Sequence, residues 1–140
     1  MKESEFIHRN QQVYLAFAQF DPAFMEIANR SEWKFSDKCG PVRGRSLRLE
    51  DGPLSKMVAF DIENSILKVD LENLQVKLAW SALLREGEER KRPFWLLTMD
   101  YFTGSINDLA PSFDKTLAQM MTDLSLITGQ VIKDNGKYYP

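Results

Sequence analysis

Residues 58–80 read VAFDIENSILKVDLENLQVKLAW, and their apolar side chains fall at every second position in three separate runs. Alternation with a period of two is typical of β-strands that bury one face and leave the other in water. The stretch therefore predicts three consecutive antiparallel strands. The apolar residues of the three runs are Val58, Phe60 and Ile62, then Leu67, Val69 and Leu71, then Leu74, Val76, Leu78 and Trp80.

Tight turns can join these strands while keeping every apolar side chain on one face. A turn at 64–65 pairs Ile62 with Leu67, and a second turn at 72–73 continues the same face into the third strand. A loop over 85–92 then leads into a further alternating strand. That loop sets Trp80 opposite Leu97, Leu78 opposite Met99, Lys77 opposite Asp100, Leu83 opposite Phe94 and Ser81 opposite Leu96. The outer face then carries a charge-matched row of Asp61, Lys68, Lys77 and Asp100.

The flanking sequence predicts helices on either side of this sheet. Residues 1–31 hold two helical patterns, with Ser4 and Asp21-Pro22 as start signals, and 111–129 hold a third. An Asn-Gly turn predicts a short hairpin over 130–140. We therefore expect a single α+β domain over 1–140, a two-layer sandwich. Its five-stranded antiparallel meander over 45–102 packs against the N-terminal helices and one C-terminal helix.

Composition excludes several classes of protein. The 140 residues carry 18 basic and 20 acidic side chains, so the net charge is -2 and no global field attracts a polyanion. Nucleic acid is therefore an unlikely partner. No apolar run approaches the roughly 18 residues that span a membrane, and we expect no secretory leader, because no apolar segment follows the acidic first residues. The single cysteine, Cys39, favours a reducing, cytoplasmic location.

Residues able to carry catalysis are sparse. His8 is the single histidine and has no second metal ligand at helical spacing, while Cys39 stands beside Lys38 without a nearby base. The carboxylate pairs Asp61/Glu63 and Asp70/Glu72 would share the wet face of the sheet, where charged residues are the default. We predict no catalytic residue, metal or cofactor, and we rank an enzyme last.

A group of basic and aromatic residues near the start of the sheet resembles the surfaces that bind single-stranded nucleic acid. It comprises Arg43, Arg45, Arg48, Trp33 and Phe35. Such residues more often keep a sheet edge soluble. We expect that role here.

The outer face changes from charged to apolar near the 85–92 loop, and this change carries the main functional prediction. Leu83, Phe94 and Leu96 share that face, beside the basic residues Arg90, Lys91 and Arg92. An exposed apolar group with a basic rim marks a contact surface, so we predict binding of a protein partner or a homodimer there. Cover by the terminal hairpin or by another element of the same chain is the alternative.

A second prediction places a small apolar ligand in a pocket between the sheet and the helices, as in a carrier or sensor. Its lining residues would be Trp80, Trp95, Met99, Met120 and Met121. A filled core, in which methionine closes gaps, explains the same residues without a ligand.

Overall fold

A computed structural model describes residues 2–38, 43–87 and 93–140 of the chain. Its six antiparallel strands follow one another in chain order across a single sheet. They are β1 (Lys34–Ser36), β2 (Arg45–Asp51), β3 (Leu54–Ile62), β4 (Gln75–Arg85), β5 (Phe94–Ser105) and β6 (Lys137–Tyr139). The helices are α1 (Glu3–Ala18), α2 (Asp21–Arg30), α3 (Ile106–Leu109), α4 (Phe113–Ser125) and α5 (Gly129–Asn135). The α+β sandwich is confirmed, with six strands in place of five.

The core lies between the helices and one face of the sheet. Phe60 is at its centre, where its ring meets Phe17 edge-on at 4.6 Å and lies 5.2 Å from Phe113 at the start of α4. Buried residues at helical spacing, such as Leu117 and Leu124, continue this layer along α4. α2 begins at Asp21 with Pro22 in its first turn, but its N-cap is Phe20 rather than the predicted Asp21. α1 begins one residue before its predicted cap, Ser4.

The predicted strand over 67–71 is wrong. Residues Ile66–Lys68 form a 3-10 turn in which the Ser65 hydroxyl accepts the backbone N–H of Leu67 at 3.2 Å. Ile66 and Val69 are buried, three residues apart, whereas Leu67 is 51% exposed. The hydrogen bond to Ser65 stabilises a turn in place of a strand. In this turn side chains three residues apart point the same way, so Ile66 and Val69 are buried together.

The predicted turns at 64–65 and 72–73 are therefore wrong as hairpins. The connection 63–74 leads from β3 directly to β4, which pairs Ile62 with Val76. Asp61 consequently lies opposite Lys77 rather than Lys68, and Lys68 is not part of the sheet.

The predicted register between β4 and β5 is wrong by two residues. Trp80 lies opposite Met99 and Leu83 lies opposite Leu96. A shift of two leaves each side chain of β5 as far as Asp100 on its predicted face, because the side-chain period is also two. The ladder shifts at a β-bulge, and Lys77 still reaches Asp100 diagonally, with 3.3 Å between Nζ and Oδ2. Beyond the bulge the error is three residues, so Phe102 lies opposite Leu78 on the core face.

The predicted hairpin over 130–140 is also wrong. Thr128 caps α5 by accepting the backbone N–H of Val131 at 3.2 Å, and Ile132 is fully buried. The helix ends when the N–H of Gly136 donates to the carbonyl of Ile132 at 2.7 Å. The last residues then form β6, which pairs with the edge of β5.

The sheet has two different faces. The buried residues of β4 are Val76, Leu78, Trp80 and Ala82, and they join the buried helix residues in one core. The residues between them along β4 point to the opposite face, which we call the open face because no helix in the described part of the chain packs on it.

Among the described residues, no helix combines the length and apolarity needed to cross a membrane.

Candidate interaction site on the open sheet face

One end of the open face is apolar. Leu83 of β4 and Leu96 of β5 are direct cross-strand partners. Phe94, two residues before Leu96 at the start of β5, lies on the same face. Phe94 in turn pairs with Tyr139 of β6, with ring centroids 4.9 Å apart and planes at 19°. All four side chains are half-buried. We call Leu83, Phe94, Leu96 and Tyr139 the apolar patch.

The structure brings together the three apolar residues predicted from the sequence and adds Tyr139. The tail does not lie across the patch, because β6 pairs edge to edge with β5 and lengthens the face. The adjacent aromatic residues Tyr138 and Tyr139 were the signal for this strand. Sequence reasoning gave Tyr138 and Tyr139 the wrong partner, because the Asn-Gly turn favoured a local hairpin with Val131 and Ile132.

Charged side chains border the apolar patch. Lys137 lies opposite Leu96, with its ammonium 5.4 Å from the Tyr139 ring centroid. Arg85 donates to the Ser55 hydroxyl at 2.8 Å and lies 3.9 Å from Glu50. The predicted basic rim of Arg90, Lys91 and Arg92 lies outside the described residues.

Glu86 contacts two residues on the side of the sheet opposite the apolar patch, Lys133 and Trp95. Its carboxylate lies 2.9 Å from the ammonium of Lys133 on α5 and accepts the indole N–H of Trp95 at 3.0 Å. The hydrogen bond from Lys133 is the main reason that the pKa of Glu86 lies below its ordinary value. These contacts link α5 and β5 to the residue that follows β4.

A shallow depression of about 170 Å³ adjoins the apolar patch on the open face. Leu83 and Leu96 form one side of it, and Met57, Ser81 and Arg48 form the rest with their neighbours. In the middle of the open face the side chains of Ala59, Ala79 and Ser81 are short, so they project little above the backbone. Another protein surface could therefore approach the backbone closely.

The five residues predicted to line a ligand pocket take different positions. Trp80 and Met120 are buried in the packed core, Trp95 packs on Tyr138, and Met99 is 48% exposed. Met121 lines a groove of about 660 Å³ between α2 and α4, together with Ile27 and Phe113. None of the other four lines that groove.

The candidate catalytic residues remain apart. His8 lies in the first turns of α1, and Cys39 falls outside the described residues. Asp61 accepts the backbone N–H groups of Ile62 at 2.7 Å and Arg43 at 3.0 Å, and burial raises its pKa. Asp70 and Glu72 lie outside the strands. The described residues contain no group of three or more acidic, histidine or cysteine side chains placed to hold a metal.

The basic and aromatic group is divided between the two faces of the sheet. Arg45 points into the core face, where it meets Asp21, while Arg48 lies on the open face. Arg43 donates to Asn10 of α1 at 3.2 Å. Phe35 stacks on Phe24 at 5.7 Å. These residues therefore do not form one surface.

No protein-family model, no curated protein and no solved structure matches this chain.

Proposed function

We propose that this protein is a non-enzymatic interaction module whose apolar patch packs against another protein surface, either a partner's or that of a second copy. The observation that carries the proposal is the pairing of Leu83 with Leu96 and of Phe94 with Tyr139 on the open face, which no helix of the described residues covers. Antiparallel sheets normally present polar side chains on such a face. Contiguous apolar surface rimmed by polar groups marks interaction sites.

The chemistry of the border supports a protein rather than a small molecule as the occupant. Two aromatic rings stand among aliphatic side chains, with Lys137 and Arg85 at the margin, as in the core and rim of protein interfaces. A second copy would also meet complementary charge, because Glu50 and Asp100 lie on the same face as these cations. The cytoplasmic location inferred from the lone cysteine belongs to the same proposal.

The first test is Leu96→Glu, which places a charge at the centre of the patch, compared with Leu15→Glu on α1. Leu15 is 61% exposed, so its substitution is a matched control for adding a charge to the surface. Light scattering behind a sizing column, at two protein concentrations, measures self-association. We expect the control to associate like the native chain and the patch variant to lose association.

A partner other than a second copy is tested by photo-crosslinking. A crosslinking amino acid is placed at position 83 in one protein and at position 15 in another, and both are expressed in the organism's own cells. We expect discrete crosslinked products at position 83 that are absent at position 15 and are abolished by Leu96→Glu. A native chain that stays monomeric and gives equal crosslinking at both positions contradicts the proposal.

A further inference from the structure

A second feature of the open face lies between β1 and β2, at the edge of the sheet opposite β6, and shares Arg48 and Glu50 with the depression beside the apolar patch. A cavity of about 490 Å³ opens there. Its lining includes Lys34 and Ser36 of β1, Ser46, Arg48 and Glu50 of β2, and Glu32 just before β1. Apart from Phe35, which also lines the cavity, these residues are polar or charged, in contrast to the apolar patch.

The hydroxyl of Ser46 is the unexplained group in this cavity. The residue is 1% exposed, and its Oγ has no hydrogen-bond partner among the described residues. Buried polar groups in native proteins are nearly always paired, so each exception calls for a reason. The neighbouring hydroxyl of Ser36 accepts the backbone N–H of Lys38 at 3.2 Å, and its own proton is available to a second acceptor.

The two cations of the cavity face each other. Lys34 and Arg48 are direct cross-strand partners, a placement in which like charges repel. Neither lies within ion-pair distance of a carboxylate in the described part of the chain. An anion between them would relieve this repulsion, and its oxygens would accept from the serine hydroxyls.

Two carboxylates, Glu32 and Glu50, line the cavity together with its two cations. Glu50 is engaged by the Ser55 hydroxyl, which donates to it, and by Arg85 at 3.9 Å. Glu32 is exposed and stands on the segment that enters β1. One unpaired carboxylate at the rim therefore faces two unpaired cations.

We propose that this cavity binds a tetrahedral oxyanion of the phosphate class. Arg48 and Lys34 supply the charge, and the hydroxyls of Ser46 and Ser36 donate to the anion oxygens. The site requires no partner protein and uses residues outside the apolar patch. Phosphate binding can therefore be tested independently of the proposed function. Free phosphate and a phosphate carried by a larger molecule share this chemistry.

Inorganic phosphate is the first probe, followed through the backbone amide resonances of the full chain, with chloride at equal ionic strength as the reference. We expect saturable shifts at Lys34, Ser36 and Ser46. Arg48→Met should weaken the affinity at least tenfold, whereas Lys115→Met, at an exposed lysine of α4, should leave it unchanged. Tighter binding of phosphoserine than of inorganic phosphate would assign the site to a phosphorylated molecule, and equal or weaker binding would assign it to the free ion.

Two further variants test the roles of individual groups. Ser46→Ala should raise the melting temperature without phosphate, because it removes an unpaired buried hydroxyl, and it should weaken phosphate binding. Glu32→Gln should tighten binding, because it removes a negative charge from the rim. Shifts that chloride reproduces, or that Arg48→Met leaves unchanged, would overturn the proposal.

Discussion

Arg45 shows at the scale of a single residue how much of this protein's polar chemistry is structural. Its side chain is completely buried, yet each guanidinium nitrogen has a partner. Nε lies 2.6 Å from Asp21, Nη1 and Nη2 reach the carbonyls of Gly44 and Tyr14, and the Tyr14 ring lies 4.2 Å away. The arginine thereby joins β2 to both N-terminal helices. Its sequence context, among other arginines, predicted a surface position instead.

Removing this ion pair should cost more than a surface pair would. We expect Arg45→Met to lower the free energy of unfolding by about 3 kcal/mol, because a buried pair loses one partner. Asp21→Ala should cost at least as much, since the charge left behind is fully buried. Urea denaturation measures both.

The matched control is Arg30→Met, which breaks an exposed 3.8 Å pair with Glu26 and should cost under about 1 kcal/mol. Equal losses for Arg30→Met and Arg45→Met would contradict a stabilising role for the buried pair.

At the scale of the element, the C-terminal helix and strand complete the apolar patch. Gly136 lies where α5 passes into β6, and a Cβ there would stand 2.5 Å from the carbonyl oxygen of Ile132 and 2.6 Å from that of Leu96. The glycine is required by this close approach of two backbones, not by an unusual φ, which is −92°. It allows β6 to reach β5 and so places Tyr139 beside Phe94.

Gly136→Ala should therefore displace β6 and destabilise the protein by more than about 1 kcal/mol. We expect faster amide exchange along β6 and a weaker contact between Phe94 and Tyr139. Hydrogen exchange and denaturation measure these effects.

Gly129→Ala, at the start of α5, is the comparison, because its Cβ would stand 3.5 Å from the Leu84 methyls in ordinary contact. That variant should be neutral or slightly stabilising, since alanine favours the helix. Similar behaviour of the two variants would count against the close approach at Gly136.

At the scale of the whole molecule, side-chain hydrogen bonds hold the helical layer on the sheet. The hydroxyl of Tyr101, at the bulge of β5, donates to Asp123 near the end of α4 and accepts the Trp80 indole N–H at 3.2 Å. The ammonium of Lys56 on β3 donates to the carbonyl of Leu124. The donation from Tyr101 is the main reason that the pKa of Asp123 lies below its ordinary value.

This linkage predicts a specific dependence of stability on pH. A carboxylate whose pKa is lowered by folding stabilises the protein above its unfolded pKa of about 3.9, and this contribution disappears as the pH falls through the lower folded value. Asp123→Asn should therefore be less stable than the native chain at pH 7, and the difference should shrink below about pH 4. Urea denaturation at several pH values measures it.

Tyr101→Phe should lose the same pH-dependent contribution to the free energy of unfolding. It should also lose a contribution that does not depend on pH, because the Trp80 indole loses its acceptor. Tyr138→Phe, at a tyrosine 42% exposed on the neighbouring strand, serves as the control. A constant stability difference for Asp123→Asn at all pH values would contradict the linkage.

The sequence by itself determined the fold class, the start of α2 and the face on which each residue of β4, and of β5 as far as Asp100, lies. These features follow from local spacing, since a period of two or of 3.6 residues assigns a side chain to one side of its own element. The sequence also placed Leu83, Phe94 and Leu96 on one face, because a register error of two residues leaves that face unchanged.

Only the tertiary structure decided which segments pair and what surrounds each side chain. Residues 67–71 alternate like a strand, but the hydrogen bond from the Leu67 N–H to Ser65 holds them in a turn. β3 therefore pairs directly with β4. The tail forms a helix and then reaches an edge about 40 residues away along the chain. Periodicity carries no information about the partner of a strand, because pairing depends on contacts between residues distant in sequence. For the same reason the Lys34–Arg48 pair, the unpaired Ser46 hydroxyl and the burial of Arg45 appear only in the folded chain.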